Sequence, residues 1–324
     1  MLHRFVNAIL CTAIGALWLW SLLALYFYGF APFVKVLILI IFAVLVPGIL
    51  FFVKKPTAFY WIFALYLSVM GLWAQKQPQA NKNWQTSVAK LPHVQQEGTH
   101  ITVYDIRDFD YRTETDFTPH YYNKRFDIEQ LNEVDYILSY WDGNLAIAHT
   151  MLSFGFTTGE HLVVSLETRL AKNQPQTGLH GLFKQYEVIY VLADEVDILR
   201  LRTHYRQEQV FVYPLNLTAS VRQAILMRII ERVNQLYQQP EFYNTLTHNC
   251  FTGLQSDLRS VLTPKQGTLF DYRWFLNGYS DEMIYAKGQI QTNLSFKEAK
   301  RFFHINQYVK QATKADFSRL IRPD

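Results

Sequence analysis

Three long apolar runs in the first 75 residues constrain the fold more than any other feature of this sequence. They cover 6–28, 36–53 and 58–74, and none of them contains an acidic or basic residue. Each approaches or reaches the length of about 17–25 residues that a helix needs to cross a bilayer. A cleaved signal peptide would explain the first run but not the next two. The sequence predicts a membrane anchor of three transmembrane helices in 1–75, with a re-entrant third segment as the alternative.

The basic residues that flank these runs predict the orientation of the anchor. Arg4 precedes the first run, Lys54 and Lys55 separate the second from the third, and only Lys35 lies on the opposite side. Loops that carry more Lys and Arg stay in the cytoplasm. We therefore expect a multi-pass protein of the bacterial inner (cytoplasmic) membrane, with a second domain, 76–324, in the periplasm.

Composition excludes several classes of protein. Half of the residues are apolar and 16% are aromatic, which predicts a sizeable core and argues against disorder. The net charge is +4 and there is no dense Lys/Arg run, so no nucleic-acid partner is expected. The only cysteines, Cys11 and Cys250, fall in regions expected to be separate, which argues against a disulfide framework.

The second domain has the pattern of an α+β fold. Residues 99–109, 134–143, 145–156, 161–170, 187–193, 196–205 and 209–216 look like strands, whereas 110–131 has no clear period and is expected to be a loop. Pro214 predicts that the last strand lies at a sheet edge or ends there. A helix follows, with Thr218 or Ser220 as its cap, and Pro240 ends it. The prediction is an antiparallel sheet followed by helices.

Cys250 is the candidate nucleophile that remains once common motifs are excluded. The sequence lacks GxSxG, P-loop, GxGxxG and HExxH motifs, and its ten histidines are scattered, so we expect no metal and no cofactor. Thr247 or Asn249 is placed to cap a helix that begins near Cys250. Free N–H groups in that first turn would favour a thiolate and stabilise an oxyanion. An inert, buried cysteine is the equally balanced alternative.

His149 is the best candidate for the base, because a thiol nucleophile needs a histidine and a group that orients it. It interrupts an apolar strand and shares a face with Ser153. The connection "TTGE" predicts a hairpin that brings His149 near Glu167 or Thr168. Taken alone, His149 has a core histidine as its competing interpretation, and Glu167 has an exposed strand carboxylate.

Two other histidines are weaker candidates. His248 is two residues from Cys250, and side chains so close in sequence seldom face each other. His161 lies at the turn end of the predicted hairpin, where a solvated role is expected.

Four motifs carry a family resemblance: "FDYRTETDFTP", "AIAHTMLSFGF", "SLETR" and "YNTLTHNC". Together they resemble the Lnb N-terminal periplasmic domain family over most of 83–290. The resemblance implies a circularly permuted, papain-like thiol-enzyme fold of the NlpC type, in which the histidine strand precedes the cysteine helix. That order is also found here.

The family resemblance further implies lipoprotein N-acyltransferase activity, with a phospholipid as acyl donor and a diacylated lipoprotein as acceptor. It assigns Cys250 as nucleophile, His149 as base and Glu167 as the acidic partner. Tyr111 and Arg112, in "DYR", match a further motif expected at the pocket, and Asn249 and Ser153 are also expected there. A thiol hydrolase that uses the same Cys–His pair (a cell-wall peptidase or amidase, or a phospholipase) and a non-catalytic envelope scaffold are the alternatives.

Overall fold

A computed structural model describes residues 2–141, 143–261, 271–274 and 276–322 of the chain. Of the predicted second domain, Asp142, residues 262–270, Phe275, Pro323 and Asp324 lie outside the described residues. The chain divides into two compact units. The first comprises 1–79 and 176–185, and the second comprises 80–175 and 186–324.

The first unit consists of three long helices and one short one: α1 (Leu2–Phe27), α2 (Pro32–Phe52), α3 (Lys55–Ala74) and α4 (Gly178–Leu182). Three segments are long and apolar enough to cross a membrane, Ile9–Phe27, Pro32–Phe52 and Thr57–Ala74. The three predicted helices are confirmed. Within this unit Phe183, which follows α4, stacks on Phe27 with ring centroids 5.3 Å apart.

The second unit is built on an eight-stranded sheet. Seven strands lie in the order β1-β2-β9-β8-β7-β6-β10, and β5 pairs with β2. All these pairs are antiparallel except β2 with β9. A separate pair is formed by β3 and β4. The strands are β1 (His93–Glu97), β2 (His100–Arg107), β3 (Asp110–Tyr111), β4 (Phe117–Thr118), β5 (Tyr121–Asp127), β6 (Leu131–Tyr140), β7 (His149–Phe156), β8 (His161–Arg169), β9 (Glu187–Asp194) and β10 (Gln209–Pro214).

Within the described residues of the second unit the α-helices are α5 (Glu195–Arg200), α6 (Ala219–Gln238), α7 (Thr252–Leu258), α8 (Ser280–Ala286), α9 (Phe296–Phe302) and α10 (Phe317–Leu320). The predicted α+β fold class is therefore confirmed. Thr218 caps α6 by accepting a hydrogen bond from the Val221 N–H, and Ile225 and Ile229 are buried as its helical period predicts. Pro214 ends β10 at the edge of the sheet, where its missing N–H removes no ladder bond.

Both faces of the central strands are buried. In β7, Leu152 and Phe154 join a core with α6 and α7, whereas Met151 joins a second core with α5 and the C-terminal segment. Alternate side chains of a strand point to opposite faces, so the sheet lies between two layers. This explains why the sequence of these strands reads as continuous apolar runs.

Three details of the predicted strand pattern are wrong. Residues 196–205 form α5 and a π-helical turn, Leu201–Tyr205, rather than a strand. The Asp194 side chain accepts the Val196 N–H and starts this helix, and because α5 is almost wholly buried it has no amphipathic period to reveal it. Residues 110–131 contain β3, β4 and β5 instead of only loop. Finally, β7 begins at His149 and not at 145.

The C-terminal segment is held by a buried ionic cluster. Arg322 Nη2 lies 2.6 Å from both Asp135 Oδ2 and Glu195 Oε1. Burial would raise the pKa of Glu195, but the Arg322 guanidinium lowers it to about 2. His161, at the start of β8, pairs with Glu133 at 2.6 Å. The Arg322 ion pairs join the segment that follows α10 to β6 and to the start of α5.

Replacing Arg322 by Met should lower the stability of the second unit by about 3 kcal/mol, because two buried carboxylates lose their cation. The melting temperature of the full chain in detergent should fall at neutral pH. The part of the wild-type stability that comes from the charged Glu195 should be fully present above pH 4.5 and lost as the pH falls through about 2. Arg319→Met, at an exposed position of α10, is the matched control. Equal melting temperatures for the two variants at neutral pH would contradict this role.

Candidate active site

Cys250 lies in the turn that leads into α7, and Asn249 caps this turn. The Asn249 side-chain oxygen accepts the N–H groups of Phe251 and Thr252, each at 2.9 Å. Its carbonyl accepts the Gly253 N–H at 2.8 Å. The Thr252 hydroxyl accepts the Asn249 N–H in return, at 3.1 Å. Of the two caps predicted, Asn249 closes the turn before α7, whereas α7 itself starts after Phe251 with no side-chain cap of its own.

This cap changes what the turn offers to a ligand. The N–H groups of Phe251, Thr252 and Gly253 all bind Asn249, so the expectation of several free amides is wrong. Among the described residues, the Cys250 N–H has no hydrogen-bond partner. One main-chain donor therefore remains beside the sulfur.

The thiol of Cys250 meets the start of β7. Its sulfur lies 3.9 Å from the carbonyl oxygen of Ala148, and the side chain is partly buried. The sulfur therefore lies beside the residue that precedes His149. A thiol next to an imidazole is the pair of groups that nucleophilic catalysis by cysteine requires.

One nitrogen of the His149 ring is held by Ser165 and Glu167. His149 Nε2 lies 2.7 Å from Ser165 Oγ and 3.1 Å from Glu167 Oε1. The Ser165 hydroxyl donates to Glu167 Oε1 at 2.7 Å. These contacts follow from the β7–β8 register, in which Met151 pairs with Ser165. Two residues further along this register, His149 comes opposite Glu167.

The charges at this site reinforce one another. Burial would lower the pKa of His149, but the Glu167 carboxylate and a negative charge at Cys250 raise it to about 9. Burial would raise the pKa of Glu167, yet His149 and then Arg202 hold it well below its usual range. The imidazole therefore readily accepts a proton next to the sulfur.

Arg202 anchors the carboxylate of this array. Its Nη2 lies 3.2 Å from Glu167 Oε1, and its Nη1 donates to the carbonyl of Ile198 at 3.0 Å. Arg202 belongs to the π-helical turn, a distortion that is frequent at functional sites. Its Nε lies 3.8 Å from Glu208, which also accepts a hydrogen bond from Ser139.

A segment more than a hundred residues away braces the histidine strand. The Asn277 side chain accepts the Ala148 N–H at 3.1 Å and donates to the Ala148 carbonyl at 2.5 Å. Gly278 donates its N–H to the carbonyl of Ala146 at 3.0 Å. These bonds fix the backbone immediately before His149.

The phenol of Tyr243 senses the charges of the reacting groups. Burial, together with negative charge at Cys250 and Glu167, raises the pKa of this phenol. Among the described residues its hydroxyl has no hydrogen-bond partner.

The structure does not bring all predicted pocket residues to Cys250. The Ser153 hydroxyl donates to Glu195 at 2.7 Å, within the ionic cluster of Arg322. Arg112 is exposed and pairs with Asp116. Among the described residues, no contact joins either of them to the cysteine.

Tyr111 forms a hydrogen bond with a neighbouring buried ion pair. Its hydroxyl donates to Asp197 Oδ1 at 3.3 Å, and Asp197 also binds Arg107 through two bonds of 2.9 and 3.0 Å. This pair ties β2 to α5. Tyr111 therefore supports the helix that continues to Arg202 rather than contacting Cys250.

The rival base His248 lies beside α7. A Cβ at Gly253 would be 3.5 Å from its Nε2. Burial lowers the pKa of His248, and the charges it senses are those of Asp257, Glu241 and Arg232. No contact links it to Cys250 among the described residues, where there is also no group of three or more His, Cys, Asp or Glu that could hold a metal.

Three residues that hold the candidate site together were not predicted from the sequence. Ser165 had a usable signal, since strand alternation places it on the same face as Glu167. Arg202 was hidden by the wrong strand prediction for 196–205. Asn277 had no local signal, because its role depends on a contact with Ala148 that only the tertiary fold creates.

The family model described as "Lnb N-terminal periplasmic domain" matches residues 117–278, half of the chain. The chain belongs to this family. Cys250, His149 and Glu167 fall inside the match, whereas Tyr111 and Arg112 precede it. Comparisons with curated proteins and with solved structures gave no match. Family membership and the three apolar helices indicate a membrane-anchored protein with a periplasmic domain of a lipoprotein-modifying enzyme family.

The raised pKa of His149 should make stability depend on pH. A group whose pKa rises from 6.5 to about 9 on folding stabilises the fold fully below pH 6.5 and loses that effect as the pH rises through about 9. The difference in melting temperature between wild type and His149→Gln should therefore shrink from pH 6 to pH 9. The Glu167→Gln variant lacks the carboxylate that raises the pKa of His149. In this background, the difference in melting temperature caused by His149→Gln should depend less on pH. A difference that stays constant across this range in wild type would contradict the assignment.

Gly278→Ala should slow the chemistry of Cys250. A Cβ there would lie 2.2 Å from the Leu145 carbonyl oxygen and 2.7 Å from the Ala146 carbonyl carbon, so the backbone must shift. A displacement of about 1 Å near reacting groups lowers the rate by up to about 100-fold. The measurement is acylation of the thiol by p-nitrophenyl acetate in a Cys11→Ser background. Gly71→Ala, which meets no atom within 4 Å, is the control, and equal rates in both variants would refute the bracing role.

Proposed function

We propose that this member of the Lnb N-terminal periplasmic domain family is a lipoprotein N-acyltransferase. It moves a fatty acyl chain from a phospholipid, through a thioester on Cys250, to the N-terminal amine of a diacylglyceryl-cysteine lipoprotein. The observation that carries the proposal is that the Cys250 sulfur lies 3.9 Å from the carbonyl of Ala148, next to His149, whose ring is held by Ser165 and Glu167. The three apolar helices add support, since both substrates are lipids of a bilayer.

The first half-reaction forms the thioester. His149 takes the proton of the Cys250 thiol, and the sulfur attacks the ester carbonyl of the phospholipid to form a tetrahedral oxyanion. As this intermediate collapses, the C–O bond of the ester breaks. His149 returns the proton to the leaving alkoxide, and lysophospholipid departs.

The second half-reaction transfers the chain to nitrogen. The neutral α-amine of the lipoprotein attacks the thioester carbonyl, and His149 accepts the proton that the new N–C bond releases. The C–S bond then breaks and the sulfur leaves as thiolate, which recovers the proton from His149. The products are an amide and the free enzyme.

The oxyanion is stabilised by the Cys250 N–H, the main-chain donor that the Asn249 cap leaves beside the sulfur. One such donor is typically worth roughly 3–4 kcal/mol in acyl-transfer enzymes. Ser165 and Glu167 keep the imidazole oriented and stabilise its positive charge during both steps.

The proposed location is the inner membrane of a bacterium, with 1–75 as a multi-pass anchor and 76–324 as the catalytic domain in the periplasm. The pair Lys54 and Lys55 supports a cytoplasmic loop between α2 and α3. With this orientation, the chain after α3 emerges on the outer side. Phospholipid donors and lipoprotein acceptors are both exposed there.

Cys250→Ala and His149→Ala should each reduce acyl transfer by at least about 10³-fold, because each removes a member of one catalytic unit. Wild-type protein incubated with acyl-labelled phospholipid should gain label that hydroxylamine releases, whereas the Cys250→Ala variant should gain none. Cys11→Ser removes the other cysteine and is the matched control, with full labelling expected. Normal activity in either active-site variant would refute the mechanism.

Mass spectrometry of lipoprotein N-termini separates acyl transfer from hydrolysis. Cells that depend on this protein for N-acylation should contain triacylated N-termini, and the Cys250→Ala variant should leave them diacylated. Diacylated products with the wild-type protein, together with free fatty acid, would identify a thiol hydrolase instead.

A further inference from the structure

Exposed apolar side chains of the second unit are concentrated near Cys250. Among its described residues, eight large apolar side chains are exposed, and six of these lie on three short segments. The six are 38–58% exposed. We name this set the apolar rim: Trp141, Leu145, Ile147, Leu246, Tyr272 and Leu276.

Named contacts bring the three segments of the apolar rim together. Asn277, which follows Leu276, binds both backbone polar groups of Ala148, and Gly278 binds the Ala146 carbonyl. The Cys250 sulfur contacts the same Ala148 carbonyl at 3.9 Å. Leu246 precedes Cys250 by four residues, in a turn that the Asn249 side chain closes by donating to the Thr245 carbonyl at 2.8 Å. The segments that carry the rim therefore meet beside the candidate nucleophile.

The rim segments carry little net charge. Residues 143–148 and 244–247 contain no charged side chain, and Asp142, the one charged residue of 141–147, lies outside the described residues. Beside Tyr272, Asp271 and Arg273 neutralise each other at 2.8 Å. An acidic or basic peptide would find no complementary charge on these described segments.

The composition of the rim fits lipid. Contiguous exposed apolar surface in a folded domain marks an interaction site. Leucine and isoleucine beside tryptophan and tyrosine are the side chains that insert at the boundary between headgroups and acyl chains. The chain also carries three helices able to cross a membrane, which hold it at a bilayer.

We propose that the apolar rim inserts into the surface of a phospholipid bilayer and receives the acyl ester there, next to Cys250. The acyl chain then reaches the sulfur along apolar side chains, without passing through water. The identity of the lipid as acyl donor rests on the proposed function, whereas insertion of the rim does not require chemistry at Cys250.

Insertion can be measured without catalysis, because the chain has only two cysteines. In a full-length Cys11→Ser, Cys250→Ala background, Leu246→Cys is labelled with the environment-sensitive dye NBD and the protein is placed in phosphatidylcholine nanodiscs. The emission should shift to the blue, and doxyl-labelled lipids should quench it. Leu294→Cys, an exposed leucine that is not one of the rim residues, is the matched control and should show neither change.

Two results of this measurement would overturn the proposal. NBD at position 246 that stays solvent-exposed means that the rim does not enter lipid. A blue shift without quenching by doxyl lipids, accompanied by dimers in cross-linking, means that a second copy of the chain covers the rim.

A second experiment links the rim to substrate capture. In the catalytically intact chain, two rates are compared: acylation of Cys250 by bilayer phospholipid and acylation by soluble p-nitrophenyl acetate. The double variant Leu145→Ser with Leu246→Ser should lower the ratio of the first rate to the second. We expect a decrease of at least about tenfold, since both truncations remove apolar area from the lipid contact. The double variant Tyr237→Ser with Leu294→Ser, at exposed positions outside the rim, is the control and should keep the wild-type ratio.

The outcomes separate this proposal from the proposed function. An unchanged ratio in the rim variant, with wild type reacting with phospholipid, overturns the rim and leaves the acyltransferase intact. An equal fall in both rates also overturns it, because the substitutions then act on the thiol chemistry. Wild type that reacts only with the soluble ester refutes the proposed donor, and NBD quenching by doxyl lipids would then still support insertion of the rim.

Discussion

The pairing of β7 with β8 is the constraint on which the candidate site depends. Its register places the two residues that hold the His149 ring, Ser165 and Glu167, on the neighbouring strand and on the same face. A slip of one residue would turn that face away from the histidine. Such a slip would also move Leu152 and Phe154 out of the core that contains α6 and α7. The apolar core therefore fixes the polar geometry, since the large burial energy of the strands enforces an alignment that a few hydrogen bonds could not impose.

The second requirement is that the carboxylate next to the histidine stays charged. A carboxylate in a partly buried position is costly unless cations and donors surround it. Glu167 has His149, Ser165 and Arg202, and Arg202 in turn contacts Glu208. The π-helical turn that carries Arg202 continues from α5, whose first turn is tied to β2 through Asp197. Polar contacts thus link the site to the sheet on which the domain is built.

The sequence predicts what depends on local pattern and misses what depends on distant contacts. The three apolar helices, the α+β class, α6 with its cap, and the hairpin of β7 and β8 follow from period, length and turn residues. The prediction failed for α5, because a wholly buried helix has the same apolar composition as a strand. Ser153 shares a strand face with His149, yet four residues along a strand carry a side chain about 13 Å away, into the cluster of Arg322. The contact of Asn277 with Ala148 joins segments that no local pattern connects.

The cap at Asn249 also determines how an electrophile meets Cys250. Three successive amides are bound by one residue, and the free N–H belongs to the same residue as the sulfur. The nucleophile and this donor are therefore separated by a fixed, short covalent path. A carbonyl whose oxygen binds this N–H therefore meets the sulfur at a distance and an angle that the Cys250 backbone sets. The acyl chain and the leaving group can still exchange places about the C=O axis, so the handedness of the tetrahedral centre is decided by the side chains that receive these two substituents.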